Sequence, residues 1–134
     1  MAAGILDTNT VILLERLNPE DLPAEPVIAA ITLAELSVGP LVTEDDRERH
    51  ARQARLQEVE SVFEPLPFDA IAARAFGGVA AALRHSGRKP AARAFDALIA
   101  ATAIANQMPL YTCNPRDYAG IDNLELVEIP HPNA

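Results

Sequence analysis

The sequence predicts an α/β domain, with a mostly parallel central sheet of about five strands flanked by helices on both faces. Three observations point there. Short apolar runs alternate with segments of helical period along the chain, which is the pattern of βαβ units. From Phe95 to Ala105 every residue is apolar except Asp96 and Thr102, and a helix that is hydrophobic all round is a buried one. A chain of 134 residues, 49% hydrophobic, suffices for one core, so residues 1–134 are expected to form a single domain.

Taken in order, Gly4-Ile-Leu6 reads as a strand ending at Asp7. The polar turn Thr8-Asn9-Thr10 then caps a helix from about Thr10 to Leu17. Asn18 to Pro26 holds three prolines in nine residues and reads as a loop without regular structure. Val27–Ile31 is a second buried strand. Thr32 caps the short helix that follows and stops at Gly39-Pro40, and Glu35 three residues on matches a capping box.

From Thr43 to Val62, the residues Ala51, Ala54, Leu56, Val59 and Val62 recur at helical spacing among charges, a long, partly exposed amphipathic helix. Phe63–Phe68 is a short extended segment bounded by prolines. Asp69 caps a helix to about His85, within which Gly77-Gly78 marks either a weak point or close packing of another backbone. Ser86–Pro90 is a loop, and the Asp96 helix is expected to begin near Pro90. Leu110–Cys113 is a strand, Asn114–Asp117 a turn, and Leu124–Ile129 a last strand.

Composition excludes several classes. No apolar run reaches the roughly 18 residues of a membrane span, and Met1–Asp7 lacks the basic and apolar regions of a signal peptide. The lone Cys113 excludes an internal disulfide and a cysteine-built zinc site, and it suits a cytoplasmic location. GxxxxGK[ST] and GxGxxG are both absent. Ser37, Ser86 and Cys113 lack a histidine-containing arrangement that would make a nucleophile. A response-regulator domain would need a lysine at the end of its last strand, whereas the single lysine, Lys89, falls in a loop. The net charge of −8 does not advertise nucleic-acid binding. Its distribution says more: between Asp69 and Asp96 there is no acid, while Arg74, Arg84, Arg88, Lys89 and Arg93 fall there with His85.

In parallel sheets, sites form outside the carboxyl ends of the strands. That rule gathers Asp7, Glu35, Asp96 and Asp117 at one sheet edge. Singly, each has a structural reading as a cap, a capping-box partner or a turn residue. Together, unpaired carboxylates would raise one another's pKa and cost stability, which a divalent cation relieves. Oxygen-only ligation suits Mg²⁺ or Mn²⁺. His50, His85 and His131 lie on predicted surface segments, so zinc is not expected. Acid clusters of this kind suit phosphodiester hydrolysis through a metal-activated water.

The same residues carry a resemblance. Leu6-Asp7-Thr8-Asn9, Thr32-Leu-Ala-Glu35-Leu-Ser-Val-Gly39, Phe95-Asp96-Ala-Leu-Ile-Ala-Ala-Thr-Ala103 and Thr112-Cys-Asn114-Pro-Arg-Asp117-Tyr118 resemble, in order and spacing, the four motifs of PIN-domain ribonucleases, most of all the VapC toxins. The likeness runs from residue 4 to about residue 129. It implies Asp7 and Asp96 as the main metal ligands, with Glu35 and Asp117 completing the catalytic acids; Asn114 or Asp117 fills the fourth acidic position. Thr8, Asn9, Thr112 and Asn114 are implied as groups around the carboxylates. Tyr118 stands where Phe is more usual, which should preserve packing. The likeness also implies Mg²⁺ (or Mn²⁺), an RNA substrate, a cognate VapB-type antitoxin and a homodimer. Charge alone nominates Arg84, Arg88, Lys89, Arg93 and Arg116 to hold the RNA backbone. The antitoxin groove is expected between the Thr10–Leu17 and Thr43–Val62 helices. A metal-dependent DNA or flap nuclease, or a non-catalytic PIN-like module, are the alternatives.

Overall fold

The computed structural model describes residues 2–89 and 93–133. Strands β1 (Ala3–Leu6), β2 (Glu25–Val27), β3 (Leu110–Thr112) and β4 (Leu126–Glu128) form one sheet in the order β2-β1-β3-β4. All three pairings are parallel, with Ile5 opposite Val27 on one side and Leu110 on the other. Parallel neighbours need crossovers. Among the described residues five helices lie between β1 and β3, α1 (Thr8–Ile12), α2 (Ala30–Val38), α3 (Asp46–Val62), α4 (Ala70–His85) and α5 (Ala94–Ala105), while the β3–β4 crossover carries the 3₁₀ turn Pro115–Tyr118.

Side chains on a strand alternate faces, and β1 shows the consequence. Ile5 enters a core with Val79 and Leu83 of α4 and Ile99 and Ala100 of α5, while Leu6 enters another with Val11, Leu36 of α2 and Val59 of α3. Both faces of the sheet are therefore covered, as expected. Helix α5 buries Ala97 and Ile99 through Ala103, which agrees with its all-round apolar reading, although Phe95 at its start stays half exposed. Pro90, where this helix was expected to begin, lies outside the described residues. Among the described residues no helix is long and apolar enough to cross a membrane.

Several expectations about local structure are corrected. The extended segment Phe63–Phe68, counted as the fifth strand, shrinks to one bridge, Leu66 with Ala29, because the segment it pairs with turns into α2 at Ala30 directly after it. Strand β2 starts at Glu25, inside the predicted loop, and ends at Val27. It tolerates Pro26 because it is an edge strand paired only with β1. The remainder of that loop holds one 3₁₀ turn, Pro19–Asp21, capped by Asn18.

Thr32 is not a cap. Helix α2 begins at Ala30, without a side-chain cap on Ala29, so Thr32 lies buried inside it and the capping box with Glu35 does not form. Helix α1 starts at Thr8 and gives way to a 3₁₀ turn at Leu14–Arg16. Helix α3 starts three residues later than expected because Asp45 caps it, accepting from the Arg47 and Glu48 amides. Gly77 and Gly78 do not admit another backbone: a Cβ at either would meet nothing within 4 Å.

Those glycines weaken an exposed helix interior without a packing return. Gly77→Ala and Gly78→Ala should each stabilise the protein by about 0.5–1 kcal/mol. Denaturant midpoints at unchanged slope are the check, and a loss of stability in either would show that the site is not free.

Candidate active site

Strand order reverses between β1 and β3, because the chain leaves β1 toward β2 on one side and returns to β3 on the other. Crevices in parallel sheets open at such a switch point, outside the strand carboxyl ends. Asp7 follows β1 there, and Cys113 and Asn114 follow β3.

Asp7 caps α1 and is 2% exposed. Its Oδ1 accepts from the Thr10 amide at 3.0 Å and the Thr10 hydroxyl at 2.5 Å. Its Oδ2 accepts from the Thr112 hydroxyl at 2.7 Å and the Tyr118 hydroxyl at 3.0 Å. Both threonine oxygens are themselves held by backbone amides: Cys113 N–H donates to Thr10 Oγ1 at 3.3 Å, and Asn114 N–H to Thr112 Oγ1 at 2.9 Å. The capping role and the site role of Asp7 thus coincide in one side chain.

The other acids surround it. Glu35 Oε1 accepts from the Thr8 hydroxyl at 2.5 Å, and Thr8 Oγ1 is 3.1 Å from Thr32 Oγ1. Thr8 has one proton, so with Glu35 ionised Thr32 donates to Thr8. Burial pushes the Glu35 carboxyl up, the Thr8 bond pulls it down, and the charge of Asp7 raises it again. Asp96, in the first turn of α5, lies 3.4 Å from the Tyr118 hydroxyl. Burial, followed by the charges of Asp117, Asp7 and Glu35, pushes its carboxyl up to about 6, against the pull of Arg93. Asp117, in the 3₁₀ turn Pro115–Tyr118, accepts from Arg93 Nη1 at 2.7 Å; the same guanidinium stands 3.9 Å from Asp96.

Arg93, nominated from charge as an RNA contact, is therefore joined to the acids themselves. Arg84, Arg88, Lys89 and Arg116 form no ion pair among the described residues; Arg84, Lys89 and Arg116 are exposed and Arg88 half-buried. The loop that carries Arg88 and Lys89 packs by Ser86 against Gly120, whose φ of +92° and close approach to Ser86 Oγ require glycine. Asn9 is exposed and lines a cleft of about 420 Å³ that runs from Thr8 and Glu35 past Ile12 to Arg52 and Arg55 of α3. Asn114 contributes its backbone amide to the network. Cys113 is buried, and burial pushes its thiol up, which does not favour a thiolate nucleophile.

Arg52, Arg55 and the hydroxyl of Tyr118 have no place in the sequence reading, and Thr10 and Thr32 enter it as cap or motif residues, not as site groups. Asp7-x-x-Thr10 is a capping spacing and was a usable signal. Tyr118 keeps the packing expected of Phe, its ring buried in the core, and adds a hydroxyl bonded to Asp7. The two arginines sit in a helix whose charges gave no sign of which face meets the cleft.

The donor set is oxygen-only, and the mutual charge felt at Asp96 is what a cation would relieve. Among the described residues no three acidic, histidine or cysteine side chains converge into a metal cage. Asp7 and Asp96 converge on one point, the Tyr118 hydroxyl. Two carboxylates completed by water and a substrate phosphate are the usual way proteins hold Mg²⁺, so the residues fit that ion in kind.

Asp96 has a consequence for stability. Its folded-state value of about 6 exceeds the ordinary 3.8, so the folded protein binds that proton more tightly than the unfolded chain. The resulting stability is fully present below the ordinary value and is lost as pH rises through about 6. Glu35 acts with the same sign. In chelator, Asp96→Asn should therefore melt above the parent near pH 7, with the gap closing toward about pH 4. Melting temperatures across that range decide it; a variant less stable than the parent near pH 7 would refute the charge argument.

The PIN domain family matches residues 5–123. Ribonuclease VapC5 of Mycobacterium tuberculosis is 37% identical over 131 residues, spanning 96% of this chain and 94% of that one. Ribonuclease VapC of Rickettsia bellii is 29% identical over 134 residues, spanning 94% and 96%. The crystal structure of VapBC-5, a member of the VapBC family of toxin–antitoxin systems from Mycobacterium tuberculosis, matches with a TM-score of 0.82 at 33% identity. The match covers 96% of this chain and 99% of that one. The four motifs named from sequence all fall inside these spans, and this chain belongs to the PIN-domain family of VapC ribonucleases.

Proposed function

We infer that the protein is the toxin of a VapBC-type pair, a metal-dependent endoribonuclease that hydrolyses RNA phosphodiester bonds. The observation that carries this is the burial of Asp7 at the strand switch point, with Asp96 sharing its phenol donor and Glu35 and Asp117 within the same field. Asp7 and Asp96 would hold Mg²⁺ (or Mn²⁺). When bound, that ion lowers the pKa of a water and neutralises charge on the phosphate.

The chain's own groups supply the rest. Thr10 and Thr112 hold Asp7 in one orientation, so the carboxylate needs no reorganisation at the moment of reaction. Glu35, raised by burial and tethered by Thr8, is suited to accept the proton of the attacking water. Arg93 fixes Asp117 and offsets part of the negative charge that an incoming phosphate must approach. Arg84, Arg88, Lys89 and Arg116 would contact the RNA backbone as a sequence-independent electrostatic surface.

A toxin needs a partner that silences it. The VapB-type antitoxin is assigned to the groove between α1 with its following turn and α3. This groove measures about 320 Å³ and is lined by Val11, Ile12, Leu14, Ala54, Val59 and Phe63, among others. Ile12 and Arg55 line both this groove and the cleft at Glu35, so an occupant of the groove lies next to the acids. Basic residues on its tail would meet the acidic pocket. A homodimer is proposed on family grounds.

Purified protein should cleave RNA with Mg²⁺, not with EDTA, and Asp96→Asn should lose more than the roughly 10–100-fold typical of outer-shell partners. Single-stranded DNA serves as the comparison, and a preference for it would move the protein to the DNA nucleases. Activity surviving Asp96→Asn would show the metal to be misplaced. Replacing Arg88 and Lys89 together with Ala should weaken RNA binding on every sequence and lower its salt slope by about 1–2. An unchanged slope would remove that loop from the interface.

A further inference from the structure

The four donors on Asp7 are not equivalent. The Thr10 amide is fixed by the start of α1, and the Thr10 and Thr112 hydroxyls are each pinned from behind by a backbone amide. The Tyr118 hydroxyl touches Asp7 Oδ2 at 3.0 Å and Asp96 Oδ1 at 3.4 Å, and no other hydrogen-bonding group among the described residues. Its side chain is 2% exposed and belongs to the core cluster that holds Ile5, Ala97, Ile99 and Ala100, so packing, not solvent, sets where the oxygen sits. One O–H thus faces two carboxylates and lies where a cation shared by them must bind.

A carboxylate offers about four acceptor positions, and in Asp7 all of them are in use. A cation can reach it only if one donor yields. The donor with no second anchor is Tyr118.

We propose that Tyr118 is a positioning residue whose hydroxyl stands in for the cation in the metal-free site, holding Asp7 and Asp96 together and competing with the cation for them. The proposal rests on Asp7 and Asp96 being the cation ligands. The phenol proton partly offsets the repulsion between the two acids while the site is empty of metal. On cation entry that hydrogen bond is surrendered, and its loss lowers the affinity. The hydroxyl therefore sets the metal concentration at which the nuclease is armed, independently of any contact with RNA.

The test is a Mn²⁺ titration without RNA, by calorimetry or by the resonance of the free ion, on the full chain, Tyr118→Phe and Asp96→Asn. A hydrogen bond to a charged acceptor corresponds to roughly a tenfold change. Tyr118→Phe should accordingly bind Mn²⁺ about 3- to 10-fold more tightly than the parent. Its melting temperature without metal should fall, and the rise caused by metal should be larger than in the parent. If the hydroxyl were only structural, its removal would lower stability and leave affinity unchanged, and that result overturns the proposal. Weaker binding in Tyr118→Phe overturns it as well, since the hydroxyl would then be a ligand. Asp96→Asn separates the two readings. If it binds Mn²⁺ as the parent does, the assignment of the ligands has failed, whatever Tyr118→Phe shows.

Discussion

Asp7 is a carboxylate with 2% exposure at the end of a strand buried on both faces, and the rest of the structure is arranged around that fact. An ionised group so placed costs several kcal/mol unless donors replace its water. The donors come from three separate stretches of chain: Thr10 one helical turn on, Thr112 at the end of β3, and Tyr118 in the 3₁₀ turn after it. Satisfying Asp7 therefore requires β3 to lie beside β1 and the turn after β3 to fold back over it. Among the described residues no buried polar side-chain atom lacks a partner, so the requirement is met.

Topology and chemistry are linked through this requirement. A parallel sheet whose order reverses between β1 and β3 leaves the ends of those two strands side by side with no helix directly above them. Threonine hydroxyls fill that gap because each can give its proton to the carboxylate while accepting from a backbone amide just past β3, Thr10 from Cys113 and Thr112 from Asn114. Helix α5 then delivers Asp96 to the same edge. Its small residues, Ala97, Ala100, Ala101 and Ala103, bring the helix close against α4 and the sheet and so fix the height at which Asp96 arrives.

The parts of this legible in the sequence are those with a one-dimensional signature. Alternating buried strands and helices, an apolar α5 and four acids in register could all be read from spacing, and the layers followed. The missed features depend on contacts between distant segments or on which donors a local stretch can spare. Thr32 followed by Glu35 has the spacing of a capping box, yet Leu66 bonds the Ala30 amide and starts α2 early, which turns Thr32 inward and gives Glu35 to Thr8. Pro65 and Pro67 were read as bounding an extended segment. What limits that segment to one bridge is the start of α2 at Ala30, which ends the stretch it pairs with. Tyr118 was read as a ring because a ring's packing is inferable from a sequence, whereas the partner of a hydroxyl 111 residues away is not.

The charge of the molecule is resolved by the same local logic. A net charge of −8 and a polyanionic substrate are not in conflict when most acids are remote from the site, because exposed charges are screened beyond about 8–10 Å at ordinary salt. What an approaching phosphate meets is set by the nearest groups. At the centre, Arg93 pairs with Asp117 and stands near Asp96, whose carboxyl burial first and the charges of Asp117, Asp7 and Glu35 next still push up. Two acids on one phenol hydroxyl, one of them held by threonines, are a poor environment for a bare phosphate and a good one for a divalent cation. On the proposed ligand assignment, a cation would precede or accompany substrate. In such a site a group that competes with a cation for the acids, and not only a group that touches RNA, would decide when the acids can act.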